Sequence, residues 1–296
     1  MDSRRLAAFG LLVASNLLWS GNWVIGRAVR DVFDPIALNW WRWLFAALVM
    51  APFGMREALR HADAIRRRAG LFLLLALTGV VGFQSLVYLG LRTTTAINAV
   101  LINAAGPLFM LICSWLLERD KPSRRQIAGM LISFLGVLIV VSRGQLQTLL
   151  QLEFHRGDAW ILVAMPMWGL YSVLLRRALA ELRGVAFAFT IAAIGVAMLL
   201  PLYVIDVWGQ PWRRPTLPEV SAVLYIAVAA SVLAFIAWNR GVTVVGANAA
   251  GFTLPLLPAF GTALAIIFLG EVFQAFHAVG FVTIVIGVVL ATYRRS

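Results

Sequence analysis

The chain has 296 residues, 61% hydrophobic and only 13% charged, with a formal net charge of +12 and a mean hydropathy of +0.88. A soluble domain carries about a quarter charged residues, so this composition excludes a water-exposed globule and fits lipid as solvent. The single cysteine, Cys113, excludes an internal disulfide.

Crossing a hydrocarbon core takes about 20 apolar residues in a helix. Ten runs of that kind lie near 7–27, 36–55, 71–91, 95–117, 125–142, 159–178, 185–205, 220–239, 246–269 and 273–292, leaving only short loops. They are continuous rather than alternating, so an all-α bundle is expected and not a barrel.

Run one follows Arg4 and Arg5, is longer than a signal-peptide core and carries Asn16 and Asn22, so it is expected to stay as a mature helix. Run two opens on "NWWRW", Asn39 to Trp43. Its indoles, with Trp208 and Trp212, suit a headgroup belt. Arg42 is the only charge well inside a run; pairing with Asp31 or Asp34 would make it an anchor or an outer gate. Run three sets Gln84 and Tyr88 four apart on one face. Run four carries Asn98 and Asn103 and is broken at Gly106 and Pro107. Run five has the small face Gly129, Ser133 and Gly136, matched in run ten by Gly280, Thr283 and Gly287, a pattern for close helix packing. Run six supplies Trp168 and Tyr171, run eight Trp238 and Asn239, and run nine Asn248 with breaks at Pro255 and Pro258.

Of the 25 Lys and Arg, seventeen fall on the N-terminal side of the bundle and seven opposite, which orients both termini to the cytoplasm. Basic charge here sets topology and implies no nucleic-acid partner.

A shift of 151 lays Gly90 on Gly241, Pro107 on Pro258, Gly129 on Gly280, Gly136 on Gly287 and Asp120 on Glu271, and Trp19 meets Trp168 at a shift of 149. The expected organisation is a first five-helix repeat over 1–142, a loop over 143–157, and a second repeat over 158–296. Five spans are odd, so the second copy must be inverted, and two inverted copies rocking about a shared site give alternating access. Pro107 disturbs the carbonyl of Asn103, Pro255 that of Gly251 and Pro258 that of Leu254. Freed carbonyls at depth need protein or a wet cavity, so the paired breaks point to a midplane site, with packing kinks as the alternative.

The segments "LLWSGNWVIGRAV", "PIALNWWR", "GPLFMLICSWLLERD" and "LPLLPAFGTALAIIFLGE" together resemble the drug/metabolite transporter superfamily and its EamA branch over nearly the whole chain. That resemblance implies ten helices in two repeats. Asp120 departs from it by replacing the usual glutamate. Asn103 before "GP" and the aromatic "MPMWGLYSVLLRR" of run six are most similar to YddG-type bacterial amino-acid exporters.

The candidate substrate-binding residues are Asn22, Gln84, Tyr88, Asn98, Asn103, Trp168, Tyr171, Trp238, Asn239 and Asn248. Amides and rings suit a small zwitterion, although such amides also serve as interhelical glue. Gly106, Pro107, Pro255, Pro258 and Arg42 are the candidate break or gating positions. No carboxylate lies at mid-depth to carry a coupling proton, no GxxxxGK[ST] loop points to ATP, and no HExxH or nucleophile elbow points to an enzyme. The expectation is a cofactor-free, metal-free carrier, monomer or weak homodimer, in a bacterial inner membrane. It would export amino acids, aromatic ones included, and related metabolites by uniport or exchange. A lipophilic-cation efflux carrier is the alternative, and a membrane-embedded enzyme the alternative of another class.

Overall fold

The computed structural model describes residues 3–28, 32–178, 182–208, 215–269 and 272–292. Asp31, Trp212 and Glu271, each used in the reading above, lie outside the described residues. The described chain is helical: α1 (Ser3–Ala28), α2 (Pro35–Arg60), α3 (Ala62–Arg67), α4 (Ala69–Ala76), α5 (Phe83–Thr93), α6 (Ala96–Ala104), α7 (Gly106–Glu118), α8 (Arg124–Val141) and α9 (Leu146–Leu150). Then follow α10 (Arg156–Ala178), α11 (Gly184–Val207), α12 (Leu217–Tyr225), α13 (Ala234–Val245), α14 (Ala247–Gly251), α15 (Leu256–Leu269) and α16 (Ala275–Thr292). Two π-helical segments, Leu77–Gly82 and Ile226–Leu233, join α4 to α5 and α12 to α13 without interrupting either rod. Among the described residues, eight helices are long and apolar enough to cross a membrane. Large exposed side chains such as Phe53, Leu131, Val282 and Ile286 give the bundle an apolar outer surface, as lipid requires of a multi-pass membrane protein.

Polar signals start and stop the helices. Ser123 and Gln126 form a reciprocal capping box at α8, and Thr95 caps α6 through the amide of Asn98. At Gly246, φ is +89°, a conformation that suits glycine and lets α13 turn sharply into α14. Both proposed breaks are real. α6 stops at Ala104 and α7 restarts at Gly106 with Pro107 in its first turn; α14 stops at Gly251, and α15 restarts at Leu256 after a turn containing Pro255.

Helices pack as antiparallel pairs across the middle of the chain. Gly54 of α2 abuts Val185 and Ala186 of α11, while Trp40 stacks on Tyr203 at 4.3 Å near the other end. Gly241 of α13 abuts Leu12 of α1, and Gly90 of α5 abuts Ile161 of α10. α8 and α16 meet where the small faces were expected, with Ser133 donating to the Ile284 carbonyl at 3.3 Å. Thr283 is turned outward, and Ile284 takes the place expected for it.

A Cβ at Gly129 would stand 2.6 Å from the Ala291 nitrogen and 2.6 Å from the Gly287 oxygen. Backbone yields less readily than side chains. Gly129→Val should therefore force α8 and α16 apart at a cost of about 1–3 kcal/mol and lower the melting temperature in detergent. Gly10→Val, where nothing lies within 4 Å of the new carbon, should leave melting nearly unchanged.

A candidate substrate cavity between the halves

The breaks and the two π-helical segments converge on one cavity of about 40 Å³. A void of that size holds a few waters and no amino acid, so it must widen to admit one. The first half contributes Trp19 and Asn22 from α1, Arg42 and Trp43 from α2, Gly79, Phe83 and Gln84 along the α4–α5 rod, and Asn103 and Gly106 at the break. The second half contributes Met165 and Trp168 from α10, Ala230 and Phe235 along the α12–α13 rod, and Leu254 and Leu257 at its own break.

A π-turn leaves carbonyls without their ordinary helical donors, and side chains collect them here. Asn39 donates to Val80 at 3.0 Å in the first segment; Trp19 donates to Ala230 at 3.0 Å in the second. The 151 shift superimposes most of the two segments, so the widened turns occur at matching places in the two halves.

Arg42 is 3% exposed. Its Nε donates to Ser231 Oγ at 2.8 Å and its Nη1 to Tyr88 Oη at 3.0 Å; Tyr88 in turn donates to Asn22 Oδ1 at 3.0 Å. The pairing expected with Asp34 does not form, because Asp34 accepts from Arg92 at 2.7 Å nearer the helix ends. Arg42 therefore faces the cavity wall rather than an outer acid. The indole of Trp43, expected in a headgroup belt, is 2% exposed and packs edge-on to Phe235 at 5.1 Å. It shares a buried face with Asn39, Ala46 and Met50, whereas Trp208 is 82% exposed as a belt residue should be.

Below the cavity lies an aromatic floor. Trp168 touches Trp19 edge-on at 5.2 Å, Tyr171 in a stack at 5.2 Å, and Trp238 at 5.5 Å. Tyr171 donates to Asn239 at 2.8 Å and Trp238 to Ser172 at 3.3 Å. On the far side of this floor a vestibule of about 900 Å³ opens toward the end of the bundle where α1 begins; Arg4, Arg176, Arg183 and Arg240 line it, and Asn239 sits at its head.

Two expected contact residues are elsewhere. Asn98 donates to Asp158 at 2.7 Å and to the Glu153 carbonyl at 2.8 Å, at the end of the bundle opposite the vestibule. Thr94 and the His155 amide, the latter at 2.7 Å, also donate to Asp158, which is 1% exposed. Asn248 donates to Asp120 at 2.7 Å at the vestibule end. Each of these amides ties the first half to the second instead of lining the cavity, because each sits in the first turn of its helix, beside an acid of the other half.

Of the remaining candidates, Asn22, Gln84, Asn103, Trp168 and Gly106 line the cavity with Arg42; Tyr88 holds Arg42, and Tyr171, Trp238 and Asn239 form the floor. Pro107, Pro255 and Pro258 set the breaks without lining the cavity. Sequence reasoning missed Trp43, Phe83, Met165, Leu254, Leu257 and Ser231 as site residues. It used Trp19 only to align the repeats, although its match to Trp168 was the signal that could have placed both rings at one site.

The comparisons agree with this architecture. The EamA-like transporter family matches residues 6–142 and again residues 155–293. The Bacillus subtilis (strain 168) protein named Uncharacterized transporter YyaM is 25% identical over 98% of this chain and 94% of its own. A Probable terminal-alkyne amino-acid exporter of Streptantibioticus cattleyicolor is 24% identical over 96% of this chain and 92% of its own. A solved structure titled only "Crystal structure of protein" superposes with a TM-score of 0.75 at 18% identity, covering 99% of this chain and 97% of its own, which is a likeness of fold. With the profile matching both halves and these relatives named as transporters rather than enzymes, the chain belongs to the EamA-like transporter family of the drug/metabolite transporter superfamily.

Proposed function

We propose that the chain is a secondary transporter of the bacterial inner membrane that exports amino acids, aromatic ones among them, and related small metabolites. It works by alternating access between two inverted five-helix repeats. The observation that carries this reading is the cavity at the junction of the halves, lined from both by matching elements. Ten spans result when α1 and the broken pair α14–α15 are added to the eight long apolar helices. Inversion is supported by the antiparallel pairs, since α2 lies on α11, its counterpart under the shift, and α8 on α16. The two separate family matches support the division into 1–142, a loop over 143–157, and 158–296.

In this reading the vestibule faces the cytoplasm with both termini, the aromatic floor separates it from the cavity, and the Asp158 cluster closes the outer end. Rocking one half against the other would break the Asp158 contacts and form a new seal at the vestibule. The described cavity wall carries no carboxylate, which supports uniport or exchange without a proton carried at mid-depth. The amino-acid class draws on the printed name of the Streptantibioticus relative and on amides beside rings. The aromatic wall also favours a lipophilic cation through its ring faces, but the guanidinium of Arg42 opposes one.

Purified protein in liposomes loaded with unlabelled amino acid should accumulate the labelled form by counterflow with no imposed pH gradient. Counterflow with quaternary amines alone would give the cation reading the lead. Flux with none of amino acids, sugars or amines would overturn transport of these classes.

A further inference from the structure

We propose that Arg42 is an anion-binding group that reads the carboxylate of the transported molecule, so that a carboxylate is required of the substrate and an amino group is only tolerated. The inference rests on the transport reading and names its substrate class.

A guanidinium has five N–H donors. In Arg42 two of them are used, by Ser231 and Tyr88. The other three have no acceptor among the described residues, and no described carboxylate pairs with this side chain although it is 3% exposed. An unpaired buried charge is strongly unfavourable, and such a group in a cleft is a candidate for a functional site. Ser231 and Tyr88 fix the plane of the guanidinium, and Arg42 lines the cavity with donors left over on its terminal nitrogens. A guanidinium offers the fork geometry a carboxylate takes with two parallel hydrogen bonds. A second donor waits in the same wall: Asn103 is 7% exposed and its Nδ2 has no partner.

For an ammonium the wall offers less. Asn22 Oδ1 already accepts from Tyr88, leaving the amide oxygens of Gln84 and Asn103 and the ring faces, none of them charged. Trp43 lies 5.3 Å from the Arg42 guanidinium carbon, so part of the aromatic attraction for cations is already occupied. Phe83 and Trp168 complete an apolar wall for the rest of the substrate. The basic vestibule works in the same direction, because a cleft lined by arginines concentrates anions at its mouth.

The test is binding to the purified full chain in detergent, read by thermal shift and by tryptophan fluorescence with four probes: phenylalanine, 3-phenylpropionate, phenethylamine and inorganic phosphate. Phenylalanine and 3-phenylpropionate should both bind and displace each other, and phenethylamine should bind at least tenfold more weakly. Arg42→Gln should lose the carboxylate probes by tenfold or more, with Arg42→Lys in between. If Arg42→Gln does not fold, Asn103→Leu should still weaken both carboxylates several-fold while sparing phenethylamine. Phenethylamine binding as well as the acids, no binding by any probe, or phosphate competing as well as 3-phenylpropionate would each overturn the assignment. Binding as expected without flux in liposomes would instead sink the transport reading and leave the carboxylate site standing.

Discussion

Asp158→Ala is expected to open the outer end of the bundle and shift the carrier toward its outward-facing state. The carboxylate is 1% exposed and accepts from Thr94, from Asn98 at 2.7 Å and from the His155 amide at 2.7 Å. Removing it leaves those buried donors unpaired, a penalty of about 1–3 kcal/mol. The penalty falls on the state in which the cluster is assembled and not on a state in which water already reaches it. A change of about 2 kcal/mol is roughly a thirtyfold change in a two-state ratio. Asp158→Asn should act in the same direction, because one carboxamide edge would present a donor to donors. A single cysteine at Leu257, which lines the cavity, reports the change once Cys113 is replaced by serine. In right-side-out vesicles an impermeant maleimide should label it about tenfold faster in Asp158→Ala than in the parent. Exchange should slow, because the carrier would return to the closed form less often. Unchanged labelling would mean that the cluster staples two helices and gates nothing. Disrupting Asn248 and Asp120, joined by one hydrogen bond at 2.7 Å, should have a smaller effect.

The break at Gly106–Pro107 was legible because proline and glycine act locally through φ and a missing donor, whatever the neighbours are. Asn103 was legible because it immediately precedes that break, and Gln84 because it shares a helix face with Tyr88 four residues on. The small faces of α8 and α16 were legible for a similar reason, since close approach needs glycine on both sides; only Thr283 was misjudged, by one position. What failed was the choice of which face of a helix points inward. In water, apolar periodicity marks the buried face, but in lipid both faces are apolar and that contrast is lost. Trp43 could therefore be taken for a belt residue, although it shares a buried face with Asn39 and Met50. Asn98 and Asn248 failed differently. Their polarity was read correctly as needing a partner, but the partner is set by how one helix slides along another, and Asp158 and Asp120 belong to segments remote in sequence. The π-helical segments leave almost no local trace, since Ile226–Leu233 contains neither glycine nor proline. Only the aligned halves hint that Leu77–Gly82 and its counterpart share an irregularity.

Trp168→Ala should have the largest effect of any cavity substitution, and on two quantities that can be separated. The ring packs against Trp19, Phe83, Tyr171 and Trp238, with centroids between 5.0 and 5.5 Å, so it joins the cavity wall to the floor. Removing a large aromatic side chain from such a core costs about 3–5 kcal/mol, which lowers the melting temperature by roughly 10 °C. The functional change comes from shape. With the indole gone, the space above Tyr171 joins the cavity, and a small substrate loses the wall that presses it toward Arg42. Counterflow of alanine should fall at least tenfold, while that of tryptophan, whose own ring can fill the gap, should fall far less. Trp168→Phe keeps a ring between Trp19 and Trp238 and should preserve most of the stability with an intermediate selectivity. Position 168 is structural only if every substrate falls in proportion to the amount of folded protein. A change in the ratio between small and large substrates, measured at equal folded protein, is the outcome that places this ring against the cargo.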